Sequence, residues 1–148
     1  MSNIRVMRPR QPLQRSTAAR QILQQTDRLD IAMMNAGVMA LPLGQTRERY
    51  EVQFGTNHMG QALLLKLLTP LLPATASRPE SRDVRVVWNT SQGYALHLKG
   101  GILFEKLKTD QADISFTGGE WVRYGRSKSA NFCCMRGRMR SITRVLRA

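Results

Sequence analysis

Cysteine is nearly absent from this chain of 148 residues: Cys133 and Cys134 stand side by side, which gives no disulfide framework and reads as two free thiols in a reducing compartment. The two histidines, His58 and His97, are isolated, and no C-x-x-C accompanies them, so no metal site is expected. Long apolar runs are missing too. The stretch from Ala62 to Leu72 is interrupted by Lys66 and Pro70 and is too short to span a bilayer. Nothing else reads as a signal or anchor, and a soluble cytoplasmic chain is the default expectation. Acidic residues are absent from both ends. All ten lie between Asp27 and Glu120, where ten Lys or Arg balance them, while residues 1–26 carry five Arg and residues 121–148 carry eight basic residues. The formal net charge of +13 therefore sits wholly at the ends. Basic ends can meet phosphate backbones or acidic membranes, but the core between them is neutral, and no nucleic-acid partner is expected. The Arg-rich start has the composition of a transit peptide, yet Pro9 and Pro12 spoil the amphipathic helix that one needs.

What is present reads as alternating helices and strands within one domain. Arg15 to Thr26 suits a helix with Ala18, Ala19, Ile22 and Leu23 on one side. Leu29 to Met34 is a strand-like apolar run that breaks at Asn35-Ala36-Gly37, where the glycine permits a tight exit. A helix follows over about 47–68, with Thr46 as its expected N-cap, and Pro70 and Pro73 end it. Val84 to Trp88 is a second strand, expected to be buried on both faces from its continuous Val-rich run. Strand, helix and strand make a right-handed βαβ unit with a parallel pair. Residues 93–120 look irregular, with turns at Gly100-Gly101 and Gly118-Gly119, and a last helix begins near Trp121.

That last helix carries Tyr124 and Lys128 in the run YGRSKSAN. Positions i and i+4 share a helix face. An ammonium beside a phenol favours its phenolate form and makes it a better proton donor near neutral pH. Alone, the pair is a weak signal. With the Asn35-Ala36-Gly37 strand end, the mid-helix Asn57 and Ser91 at the end of VRVVWNTS, it closely resembles the short-chain dehydrogenase/reductase family, in its retinol-dehydrogenase-like branch. The resemblance covers about residues 18–131. The long gap between Ser91 and Tyr124, filled by GGILFEKLK, suits that branch.

The resemblance implies an α/β fold: a partial Rossmann-like, doubly wound parallel sheet, with the central βαβ unit and the active-site helix as its recognisable parts. It implies a nicotinamide cofactor, NADP or NAD, and a small-molecule carbonyl or alcohol substrate, small or lipophilic, of the kind met in secondary metabolism. Ser91 would polarise the substrate carbonyl, Tyr124 would protonate the developing alkoxide, and Lys128 would hold the nicotinamide ribose. Asn57 would position a water for proton relay. Asn35, Ala36 and Gly37 would shape the strand end beside the cofactor. A homo- or heterodimer through the helices bearing Asn57 and Tyr124 follows from the same likeness.

The sequence departs from the family in places. Met34 replaces the first Asn of the strand-end motif, and Asn89-Thr90 replaces the commoner Ser pair before Ser91. No T-G-x-x-x-G-x-G string, whose backbone amides cradle a pyrophosphate at a helix N-terminus, occurs in the chain. The whole of 1–148 therefore reads as a single incomplete domain, with 1–14 and 132–148 as basic ends outside the family pattern. The competing expectation is a truncated, catalytically inactive remnant that docks on an intact relative as an interaction module. A two-stranded sheet with both edges open is also expected to be poorly stable.

Overall fold

The computed structural model describes residues 12–80, 83–96, 101–114 and 118–145, and side chains from 16 to 134 within those spans. The first helix, α1 (Pro12–Gln25), leads to β1 (Ile31–Met34). A helical run follows in three parts: α2 (Val52–Phe54), a π-helical turn (Gly55–Met59) and α3 (Gly60–Leu68). After α4 (Leu71–Ala76) comes β2 (Arg85–Trp88), then short 3₁₀ turns at Gln92–Leu96, Phe104–Lys106 and Ala112–Ile114. The last helix, α5 (Gly119–Val145), carries the Tyr-Lys pair. The result is an α/β architecture consistent with part of a Rossmann-like fold.

The strands pair in parallel, Ile31 with Arg85 through Met34 with Trp88. A parallel pair needs a crossover, and the helical run and α4 supply it. The inner face of the sheet buries Ala32, Met34 and Trp88 against Leu65 of α3, and Leu29, Ala62, Leu72 and Val86 pack around them. A second cluster joins Ala19 of α1 to Leu68 and Leu71. Thr75 ties these layers to the strand: its hydroxyl donates to the Leu71 carbonyl and accepts the Leu29 amide, each at 2.7 Å.

Two expectations fail here. The second strand is not buried on both faces: Val87 is 37% exposed on the outer face, where Ile31 and Met33 of β1 are 52% and 65% exposed. An unbroken apolar run reports what a strand tolerates, not whether a second layer covers it. Nor does the helix begin at Thr46. Residues 45–51 form a turn closed by a bridge between Gln45 and Glu51, with Arg49 at φ 66°. The N-cap is Glu51, whose carboxylate accepts the amides of Gln53 at 3.0 Å and Phe54 at 2.7 Å. Gly55 makes this turn possible, because a β-carbon there would lie 2.5 Å from Thr46 Cγ2.

Candidate active site

The loop after β1, the π turn, the loop after β2 and α5 meet at one place. Asn57 sits in the π turn, a local widening frequent at functional sites, and is fully buried rather than facing solvent. Its side-chain amide is fully engaged. Oδ1 accepts the Val38 amide at 2.7 Å, and Nδ2 donates to the Val38 carbonyl and to Ser127 Oγ, each at 2.9 Å. The strand-exit loop, the π turn and α5 are thereby locked together. Gly37 lies in the same junction: a β-carbon there would be 3.1 Å from Asn57 Oδ1 and 3.7 Å from Lys128 Nζ.

Tyr124 and Lys128 share one face of α5, with Nζ 5.6 Å from the centre of the phenol ring. Both are buried. Lys128 Nζ donates to the Asn89 carbonyl at 3.4 Å, and burial holds its ammonium below the usual lysine range. Trp121 meets the Tyr124 ring edge-on, with centroids 6.3 Å apart. Ser91 follows β2, and its Oγ accepts the Gly93 amide at 3.1 Å. A β-carbon on Gly93 would lie 2.8 Å from Tyr124 Cε1 and 3.4 Å from Ser91 Oγ. Ser91 and Tyr124 thus flank one glycine.

The strand ends are stitched by further polar side chains, of which Gln61 and Asn131 were not expected from the sequence. Asn89 Nδ2 donates to Asn35 Oδ1 at 2.6 Å, so the departure at position 89 meets the Asn-Ala-Gly loop directly. Gln61 Nε2 donates to the Ala36 carbonyl at 2.5 Å and to the Asn57 carbonyl at 2.6 Å. Thr90 Oγ1 donates to the Lys128 carbonyl at 3.1 Å. His58 and Asn131 also belong here, joined at 2.9 Å across 73 positions of sequence. The available signal was Asn131 itself, which lies seven residues after Tyr124 and so returns to its helix face.

The structure therefore brings Asn57, Ser91, Tyr124 and Lys128 around one junction, with Asn35, Ala36 and Gly37 on its rim. An open cleft of about 400 Å³ lies beside it, lined by Val38, Leu41, Pro42, Val52 and Thr56 among others; none of Ser91, Tyr124 or Lys128 lines it. Among the described residues no three His, Cys, Asp or Glu side chains gather as metal ligands. His97 lies outside the described residues. No described helix is long and apolar enough to cross a membrane.

The chain is similar in sequence to known proteins. The chain is 39% identical over 115 residues to the short-chain dehydrogenase/reductase pkfC of Emericella nidulans, covering 76% of this chain. It belongs to the short-chain dehydrogenase/reductase family. Retinol dehydrogenase 14 of Mus musculus is 38% identical over 112 residues, 75% of this chain, and a short-chain dehydrogenase/reductase of Phomopsis amygdali is 37% identical over 111 residues, 74% of it. The matches span 35%, 29% and 32% of these relatives respectively, so the chain covers about a third of their length. No family model and no solved structure matches.

Proposed function

We propose that this chain carries the catalytic half of an NAD(P)-dependent oxidoreductase that interconverts a carbonyl and an alcohol. The observation that supports this best is the approach of both Ser91 and Tyr124 to Gly93, with the Lys128 ammonium over the phenol ring. Ser91 polarises the carbonyl oxygen by hydrogen bonding, and Tyr124 delivers the proton to it. Lys128 sets its ammonium over the phenol ring and offers a donor to a ribose hydroxyl. Asn57 holds the loops in register through its three amide bonds.

The residues fit one half of a nicotinamide cofactor. Gly37 leaves room beside the buried Lys128 Nζ, a donor suited to a ribose hydroxyl. When bound, such a cofactor supplies the hydride. A glycine-rich pyrophosphate cradle is absent from the sequence, so the adenosine half has no recognisable seat within these residues. NADP is the preferred partner by analogy with the resembled branch, in the cytoplasm, with a small or lipophilic substrate. The relatives include a retinol dehydrogenase, which favours a lipophilic alcohol or aldehyde. A pairing of two chains through the helices bearing Asn57 and Tyr124 belongs to the same proposal. Incubation with 4-deuterated NADPH and a panel of aldehydes tests it. Deuterium at the carbinol carbon of the product supports the reading, and its absence across the panel overturns it.

A further inference from the structure

His58 and Asn131 do no chemistry in the reading above, yet Asn131 ends on the same carbonyl as Lys128 and meets His58 through its other amide atom. Asn131 is fully buried in α5. Its Nδ2 donates to the Asn89 carbonyl at 3.3 Å, and Lys128 Nζ donates to that same oxygen at 3.4 Å. With Nδ2 turned to Asn89, Oδ1 faces His58 Nδ1 at 2.9 Å. An amide oxygen only accepts. His58 must therefore carry its proton on Nδ1, which leaves Nε2 bare in the neutral ring. The ring itself makes two tilted aromatic contacts, 5.4 Å from Phe54 and 5.9 Å from Trp88, centroid to centroid. Trp88 is the last residue of β2, next to Asn89.

From this geometry we infer that His58 and Asn131 are positioning residues: His58, as its Nδ1–H tautomer, orients the Asn131 amide, which fixes the Asn89 carbonyl against Lys128 Nζ. The alternative amide orientation would set Asn131 Oδ1 against the Asn89 oxygen, two acceptors facing each other. The Asn89 oxygen disfavours that alternative, and His58 as its Nδ1–H tautomer reinforces the orientation that remains. The order of action is His58, Asn131, Asn89 and then Lys128. The catalytic importance of this order rests on the oxidoreductase reading, but the order itself does not.

The test reads Lys128 directly, without turnover. The full chain is acetylated under limiting reagent, and Lys128 is compared with the exposed Lys66 by mass spectrometry. Asn131→Leu keeps the shape and removes both bonds. Its Lys128, without a fixed acceptor for the ammonium, is expected to react roughly three- to tenfold faster. His58→Phe keeps the ring stack and should give a smaller increase. The double variant should match Asn131→Leu alone, because His58 acts only through Asn131. Additive effects, or unchanged labelling in Asn131→Leu, overturn the inference. Ring nitrogen-15 shifts of the unmodified protein give a second check that needs no variant. An Nδ1–H tautomer of His58 supports it, and an Nε2–H tautomer overturns it. Failed carbonyl reduction would leave both readouts intact, so the two claims fail separately.

Discussion

Gly93 and Tyr124 touch so closely that a β-carbon at 93 would lie 2.8 Å from the phenol ring. The glycine is what lets the loop after β2 lie flat against α5. Gly93→Ala must therefore push the ring aside or lift the loop. We expect a loss of about 1–3 kcal/mol in stability by denaturant titration, the usual cost of overpacking. Any carbonyl reduction should fall by more than stability explains, since Ser91 and Tyr124 separate together. An alanine variant as stable and active as the parent would place the ring elsewhere.

Asn57 is the most heavily used side chain of the junction. Its removal leaves the Val38 amide and carbonyl without their partner and takes from the Ser127 hydroxyl one of its two bonds. Asn57→Ala is expected to cost about 2–4 kcal/mol, within the range for breaking a buried hydrogen-bond network. Asn57→Asp should also destabilise, because a carboxylate cannot donate to the Val38 carbonyl. Equilibrium unfolding of both variants checks this.

Glu51 gives the fold a pH signature. Burial raises its carboxyl above the ordinary 4.5, while the Gln53 and Phe54 amides and Arg123 pull the other way. The unfolded chain thus ionises at lower pH than the folded one. Stability from this group is present below pH 4.5 and is lost as pH rises through the raised folded value. Glu51→Gln keeps an acceptor at the cap and removes the titration. Its unfolding free energy should run flatter with pH across that window, and an unchanged slope would assign the effect to another group.

Local pattern revealed the parts of this protein that local chemistry decides. The runs around Ala32 and Val86 read as strands because short continuous apolar and β-branched runs suit a pleated surface, and Tyr124 and Lys128 read as neighbours because a helix repeats every 3.6 residues. The failures came where distant groups decide. Thr46 is as good a cap by composition as Glu51, but the Glu51 amide is claimed by the Leu107 carbonyl at 3.2 Å, which fixes the helix start from 56 residues away. The exposed outer face of Ile31, Met33 and Val87 depends on layers, not on strand composition. Asn57 was visible as a family position, but its burial and its grip on Val38 arise only when the loop and α5 close over it. His58 looked isolated because its partner, Asn131, is 73 positions away.

The central claim is that Tyr124 is the proton donor of a carbonyl reductase built on this junction. The most direct test compares the parent chain with Tyr124→Phe for oxidation of NADPH by an aldehyde. The phenyl ring keeps the Trp121 and Gly93 contacts and removes only the hydroxyl. We expect a rate lower by about 10²–10⁴-fold at unchanged stability, the usual contribution of a positioned acid. A parent chain that never turns over, or a phenylalanine variant that keeps pace with it, would contradict the account.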